Sequence, residues 1–397
     1  MTVYDRLGVR RIVNAKGTAT RLSGGIMRPE VSAAMVEASQ SCVDMAELQA
    51  AASKEIAKAT GAEAGYIASG AAACLTLAAA ACIAGLDPGK MNRLPDTRGM
   101  KNEIIMVRSQ RNFYDHAIRA AGATIIEVGL PDRYSGAGVR DAAAWEIEDA
   151  INEHTAAIFY VADAQSQPTL KSVAALAKKQ GVPVIVDAAA QLPPQSNLKR
   201  FIAEGADLVA FSGGKIIGGP QASGFLCGRK DLIMSAALQH LDLDIYDDMW
   251  MPPKGLIDTK KLKGMPHHGI GRSCKVGKEE IVGLLTALKI FVTEGDASRH
   301  EKWLATLEDI KSRLQKFDVR IEIEHATDTD NIPLLSLHFD KKRDVTKLAL
   351  QLERQDTPIH LDLSRRAGSI LSINPVCLKP EDIALLADGF KKFVGLN

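Results

Sequence analysis

Neither sign of charge is in excess in this sequence, in which 49 Lys and Arg stand against 48 Asp and Glu over 397 residues. So balanced a chain has no global field with which to recruit nucleic acid or an anionic membrane, although a local basic patch is compatible with it. Its six cysteines, Cys42, Cys74, Cys82, Cys227, Cys274 and Cys377, contain no C-x-x-C pair and no zinc-like spacing. That excludes a zinc module and a disulfide framework as organising features, and the thiols read as reduced packing residues of the cytoplasm. The N-terminus lacks an apolar signal segment. The longest apolar run, residues 71–86, is interrupted by Thr76 and Gly85 and is too short for a bilayer, so it reads as a buried helix. Internal repeats and low-complexity linkers are missing as well.

What is present is a large apolar inventory, 46% of residues against 24% charged, enough for one large domain and a smaller one. Apolar strands are expected at residues 66–68, 103–108, 124–128, 156–161, 183–187 and 207–211. Helices are expected between them at 114–121, 141–152, 172–180 and 198–204, after earlier helices at 29–39 and 48–60. This alternation predicts an α/β fold whose mainly parallel sheet is covered on both faces. Beyond a helix at 278–294 the grammar changes to helices at 299–317, 345–353 and 381–394 with strands at 320–324, 333–339 and 368–373. The expected organisation is an N-terminal arm over 1–28, a large domain over 29–294 and a small α+β domain over 295–397.

Ligands of parallel sheets gather at the carboxyl ends of the strands, and several candidates fall there. Ser69-Gly70-Ala71-Ala72 joins a short strand to the alanine-rich helix, the geometry in which unpaired helix N–H groups and small side chains accept a phosphate. Ser109 and Gln110 follow one strand, and residues 163–167 another. Asp187 closes the apolar Val184-Ile185-Val186 and is followed by three alanines too small to shield it. Lys215 sits in Ser212-Gly213-Gly214-Lys215-Ile216-Ile217-Gly218-Gly219-Pro220-Gln221, where glycines let something bulky approach and burial would make the amine a nucleophile. Alone, that stretch reads first as a glycine-rich turn with an exposed lysine, and only the rest of the chain argues otherwise. Residues 88–101 are expected as a polar loop. Residues 242–275 form a long loop carrying Tyr246, Trp250, His267, His268 and Arg272; the adjacent histidines are not expected to hold a metal.

A phosphate turn, then an aspartate at a strand end, then a lysine one strand-helix unit later resembles fold type I enzymes of pyridoxal 5'-phosphate. Within them the chain is similar to the selenocysteine synthase-like branch, which includes seryl-tRNA selenium transferases and D-glucosaminate-6-phosphate ammonia lyases. The match runs from Arg11-Ile12-Val13-Asn14-Ala15-Lys16-Gly17-Thr18 through Ser69 and Asp187 to the Lys215 motif, and more weakly through residues 271–280. The resemblance implies an aspartate aminotransferase-like large domain with a seven-stranded sheet. It implies that Lys215 is the Schiff-base lysine and that Asp187 partners the pyridine nitrogen. Ala189 would pack on one ring face, and Ser69, Gly70, Ala71 and Ser212 would bind the phosphate. Relatives often stack a histidine near the position of Ser109, and Gln110 is the substitute here.

The reaction expected is elimination from a small polar or sugar-derived amino acid, D-configured ones included, to a 2-keto acid and ammonia. Arg272, Arg365 or Arg366 would bind the substrate carboxylate. Racemisation and transamination share the first steps and stay open, as does a cofactor-binding protein without activity. Selenium transferases carry an additional N-terminal tRNA domain, whereas here the Asn14 motif comes almost at once, so nucleic acid is not the expected substrate. A homodimer, or an assembly of dimers, is the expected state, with residues 242–275 reaching across.

Overall fold

A computed structural model describes residues 2–130, 142–317 and 319–394. The chain divides into two compact units, the larger made of Met27–Leu192 with Ser196–Ile290 and the smaller of Met1–Ile26, Pro193–Gln195 and Phe291–Asn397.

The larger unit is built on seven strands: β1 (Ala64–Ala68), β2 (Glu103–Val107), β3 (Thr124–Val128), β4 (Thr155–Val161), β5 (Val184–Asp187), β6 (Leu208–Ser212) and β7 (Gly224–Gly228). They lie side by side in the order β1-β7-β6-β5-β4-β2-β3. All run parallel except β7, which is antiparallel to both neighbours. A strand reached by a short return from β6 needs no crossover helix, and so it pairs antiparallel. The parallel strands are apolar along their length because both faces are covered: Ile104, Ile105, Met106, Ile158, Val184, Ile185 and Val209 are almost wholly buried.

The alanine-rich helix Ala71–Ala84 is buried on nearly every side, as its composition predicts. Ala78, Ala79, Ala80 and Ala81 share one core with Tyr66 and Leu226 of the sheet and with Ile233 and Ala237 of helix Lys230–His240. Small side chains allow that close approach without voids.

Local chemistry explains where elements differ from expectation. Residues 88–93 are not loop but a short helix, Pro88–Arg93, because the Asp87 carboxylate accepts the N–H groups of Gly89 and Lys90 and proline occupies the first turn. Asp44 similarly starts helix Met45–Thr60 earlier than the apolar pattern suggests. The helix expected from 141 is Ala144–Asp149, and residue 141 itself lies outside the described residues. The helix expected at 114–121 is a 3-10 turn, Phe113–Asp115, leading into His116–Ala120. Residues 242–275 are irregular apart from the 3-10 turns Asp247–Met249, Thr259–Lys261 and Ile270–Cys274.

In the smaller unit, strands Arg320–Glu324, Leu334–His338 and Ile370–Ile373 form an antiparallel sheet with Leu334–His338 in the centre. Leu335, Leu337, Leu371 and Ile373 pack with Leu348 and Leu352 of helix Val345–Glu353 and with Leu386 and Phe390 of helix Pro380–Val394. The N-terminal arm is more ordered than its weak periodicity suggests. Thr2 and Asp5 cap a single helical turn, Val3–Arg6, and Val13–Ala15 pairs in parallel with Ile359–Leu361. Residues 278–314 are helical with one break at Gly295, whose φ of 75° is left-handed and suits glycine. Among the described residues no helix is long and apolar enough to cross a membrane.

Candidate active site

The carboxyl ends of the six strands that run in the same direction lie along one edge of the larger unit's sheet. Pairing of Ser212 with Gly224 and of Ala68 with Gly224 sets the exits of β6 and β1 on either side of the start of β7. Asp187 pairs with Ala210 on β6 and with Val161 on β4. Ser69, Gly70, Ala71, Ser212, Lys215 and Asp187 are therefore brought to one edge, although they span 147 positions of sequence (215 minus 69, plus one).

The close approach at this edge requires glycine. A Cβ on Gly224 would sit 2.5 Å from the carbonyl carbon of Gly70 and 2.6 Å from the nitrogen of Ala71. Gly70 itself has φ 138°, a conformation that side chains disfavour, and it starts the alanine-rich helix without any side-chain cap. The first backbone N–H groups of that helix thus keep no intrahelical acceptor and coincide with the positive end of its dipole. Together they form a cradle suited to a phosphate.

Lys215 is half-buried, and no hydrogen bond or ion pair engages its Nζ among the described residues. Burial pushes its ammonium below the ordinary lysine range, with the Asp187 carboxylate opposing the shift. Asp187 is pushed the other way by burial, upward, against the Ala189 N–H that its Oδ1 accepts at 3.0 Å and against the charge of Lys215. Its Oδ2 has no donor among the described residues. A desolvated amine thus lies in the turn after β6, the strand that pairs with the Asp187 strand, near a carboxylate that lacks a full counter-charge.

Behind the phosphate turn runs a buried chain of hydrogen bonds that sequence reasoning missed. The Cys274 carbonyl accepts the Ser69 N–H at 3.3 Å and also lies 2.9 Å from His240 Nε2. A carbonyl can only accept, so Nε2 carries the proton, and Nδ1, 2.8 Å from the Tyr66 hydroxyl, accepts from it. Burial holds His240 down to about 4 and pushes the Tyr66 phenol far above its usual range. Arg272 belongs to this support: Nη1 donates to the His240 carbonyl at 2.8 Å and Nη2 to Asp242 at 3.0 Å. His240 ends helix Lys230–His240 next to Gln239, in a helix that also carries Lys230, Asp231 and Ser235, so no local pattern singles it out.

Gln110 is buried at the end of β2, and its Oε1 accepts the Val161 N–H at 2.9 Å, clamping the ends of β2 and β4. Its Nε2 is buried without a partner. Ser109 is exposed, and Ala189 is half-buried in the turn after Asp187. Arg365 and Arg366 belong to the smaller unit. Arg365 lies across the three-stranded sheet, donating to Glu324 at 2.7 Å and to Ser372 at 2.8 Å, whereas Arg366 is exposed and its guanidinium has no hydrogen-bond partner among the described residues.

The residues of the larger unit fit pyridoxal 5'-phosphate: an uncapped helix start for the phosphate, an unpaired carboxylate oxygen for the ring nitrogen and an uncommitted amine for the aldehyde. Fold and site define a pyridoxal phosphate-dependent enzyme of fold type I. The chain belongs to the SelA family, since its residues 27–244 match the model described as L-seryl-tRNA selenium transferase. Residues 138–357 also match Aminotransferase class-V. It is 33% identical over 323 residues to a 5'-C-glycyluridine monooxygenase-decarboxylase from Streptomyces sp, covering 79% of this chain and 71% of the relative. It is 33% identical over 295 residues to D-glucosaminate-6-phosphate ammonia lyase from Salmonella typhimurium (strain 14028s / SGSC 2262), covering 72% and 69%. A solved D-glucosaminate-6-phosphate ammonia-lyase superposes with a TM-score of 0.81 at 26% identity over 100% of this chain and 98% of the other. A structure of SPT with PLP, 13% identical with a TM-score of 0.55 over 97% and 89%, shares the fold alone. The resemblance read from the Lys215 motif therefore holds.

Proposed function

We propose that this enzyme is a lyase that removes the Cα proton and a β-substituent such as hydroxyl from a small polar or sugar-derived amino acid, D-configured ones included. The net change is substrate to 2-keto acid and ammonia. The observation that carries this reading is the desolvated, uncommitted amine of Lys215 beside the under-compensated carboxylate of Asp187, and the ammonia lyase relatives support it. When bound, the cofactor supplies an electron sink for charge that develops at the substrate α-carbon.

The chain's own groups do the rest. Ser69, Gly70, Ala71 and Ser212 hold the phosphate, and Ala189 packs beside the ring. Asp187 keeps a proton on the ring nitrogen, which lowers its own pKa by giving it the cation it lacks. Lys215 Nζ would hold the cofactor's aldehyde and would move the Cα proton, a task for which a lowered pKa suits it. Gln110, whose Nε2 lacks a protein partner, would be a further contact for the cofactor. Of the three arginines, Arg366 keeps its whole guanidinium free for a bidentate carboxylate, so it is the first to test, followed by Arg365 and Arg272.

The proposed state is a cytoplasmic homodimer. The strongly exposed Tyr246, Met249 and Met251 of residues 242–275, at 77%, 59% and 87% exposure, suit burial against a second copy. Elution as a stable, active monomer would contradict this.

The deciding experiment has two stages. Purified enzyme should show a visible absorption band that borohydride bleaches, with the label on Lys215. A panel of D- and L-amino acids, D-glucosaminate and its 6-phosphate among them, is then assayed for 2-keto acid and ammonia. A colourless protein that ignores added cofactor sinks the enzyme reading. Amino acid of inverted configuration without keto acid makes it a racemase. Carbon dioxide release with oxygen uptake would instead point to the chemistry in the Streptomyces relative's name.

A further inference from the structure

The smaller unit contains a cavity of about 410 Å³ of its own, lined by the N-terminal arm, the segment around Arg21 and the start of helix Pro380–Val394. Its volume lies in the range of small-molecule sites, roughly 300–1,000 Å³. The charged residues that line it are Arg10, Arg11, Arg21 and Lys379 against one carboxylate, Asp382. Asp382 is buried and its Oδ2 accepts the Lys379 N–H at 2.9 Å, so this carboxylate is tied to the helix start, where the dipole also favours it. Arg10 donates through Nη1 to the Gln355 carbonyl at 3.1 Å. The side chains of Arg11, Arg21 and Lys379 have no hydrogen-bond or ion-pair partner among the described residues. Asp382 within the lining and Asp5 near Arg11 offset only part of this charge, so the concavity keeps an excess of positive groups.

The wall carrying Arg21 is fixed rather than loose. Asn14 is buried, and its Nδ2 donates to the carbonyls of Gly17 at 3.0 Å and Gly24 at 3.3 Å, while Oδ1 accepts the Lys16 N–H at 3.1 Å. The Gly24 carbonyl is also approached by Cys377 Sγ at 3.5 Å. Strand Val13–Ala15, paired with Ile359–Leu361, anchors the whole arrangement. This accounts for Asn14, a motif residue to which the Lys215 chemistry gives no task. The same cavity has apolar walls from Val9, Ile12, Leu22 and Ile26.

From this geometry we propose that the cavity is a binding site for a small organic phosphate. Guanidinium groups match phosphate oxygens in a fork, the charge excess of the lining suits a dianion, and the volume and apolar walls leave room for the carbon skeleton that inorganic phosphate lacks. The site is built without any residue of the Lys215 group, so it stands or falls independently of the proposed lyase reaction.

The test uses holoenzyme, in which bound cofactor already fills the phosphate cradle at Gly70. Titration calorimetry with ribose 5-phosphate should show one site per chain with a Kd below roughly 1 mM, weakening as salt is raised. Ribose should not bind. The double variant Arg11→Ala/Arg21→Ala should lose at least about tenfold in affinity while keeping the cofactor's visible band. If that variant does not fold, Arg21→Gln, at an exposed position, carries the comparison. The proposal is overturned if wild-type holoenzyme binds no ribose 5-phosphate, if ribose binds equally well, if a folded variant binds unchanged, or if the cavity takes only an RNA oligonucleotide.

Discussion

Lowering the pH should weaken the larger unit through His240. Its ring is neutral in the fold, with Nε2 donating to Cys274 and Nδ1 accepting from Tyr66, and burial holds its pKa at about 4 against the ordinary 6.5. Between those values the unfolded chain takes up the proton and the folded one does not, so unfolding becomes easier as pH falls. The contribution is fully present above pH 6.5 and is lost progressively down to about 4. From those two pKa values, the loss at this one residue is about 2 kcal/mol by pH 5 and about 3 kcal/mol below pH 4. His240→Gln removes the titration while leaving an amide that can still reach the carbonyl. Wild type should be the more stable at pH 8, and its advantage should shrink by about 2 kcal/mol at pH 5. Urea unfolding of both cofactor-free proteins at the two pH values, followed by tryptophan fluorescence, measures this. A gap that stays constant would refute the neutral, buried histidine. Because Cys274 also holds Ser69, cofactor affinity should fall over the same window in wild type and not in the variant.

Three shorter predictions concern the site itself. Lys215→Ala should abolish the borohydride-sensitive band and lower turnover by about 10²–10⁴-fold or more, read by spectrum and keto acid assay. Asp187→Asn should raise the unfolding free energy of the cofactor-free protein, since it removes a carboxylate that burial disfavours, yet depress turnover; a calorimetric melt beside a rate measurement checks both signs. Gly224→Ala should cost about 1–3 kcal/mol and weaken cofactor binding, because the added Cβ must displace the Gly70–Ala71 backbone; equilibrium dialysis of cofactor would expose an innocuous methyl.

Much of the fold could be read without coordinates. The strands of the parallel sheet are continuous apolar runs, because burial on both faces leaves no place for polar residues, and their carboxyl ends follow directly. The glycines around Lys215 and the small residues after Ser69 mark close approach whatever the surroundings. Capping was less legible: Asp87 starts a helix in a segment expected as loop, since its effect depends on one side-chain rotamer rather than on any period. The strand Val13–Ala15 was invisible for a different reason. Three residues make no pattern, and the partner strand lies near the other end of the chain.

The sequence by itself determined the chemistry on offer: an amine among glycines, a carboxylate ending an apolar strand, a turn of small residues opening a helix and a cofactor to match them. Those are properties of residue type and local spacing. Tertiary structure alone decided which groups are supported and which are free. Arg272 and Arg365 read from sequence as equal candidates with Arg366, but their guanidinium nitrogens are engaged by the His240 carbonyl and Asp242 and by Glu324 and Ser372. His240 reads as a helix residue of no distinction, and packing makes it the neutral link between Tyr66 and the phosphate turn. Hydrogen-bond partners distant in the chain are set by the meeting of strands and helices, and no local pattern encodes that meeting.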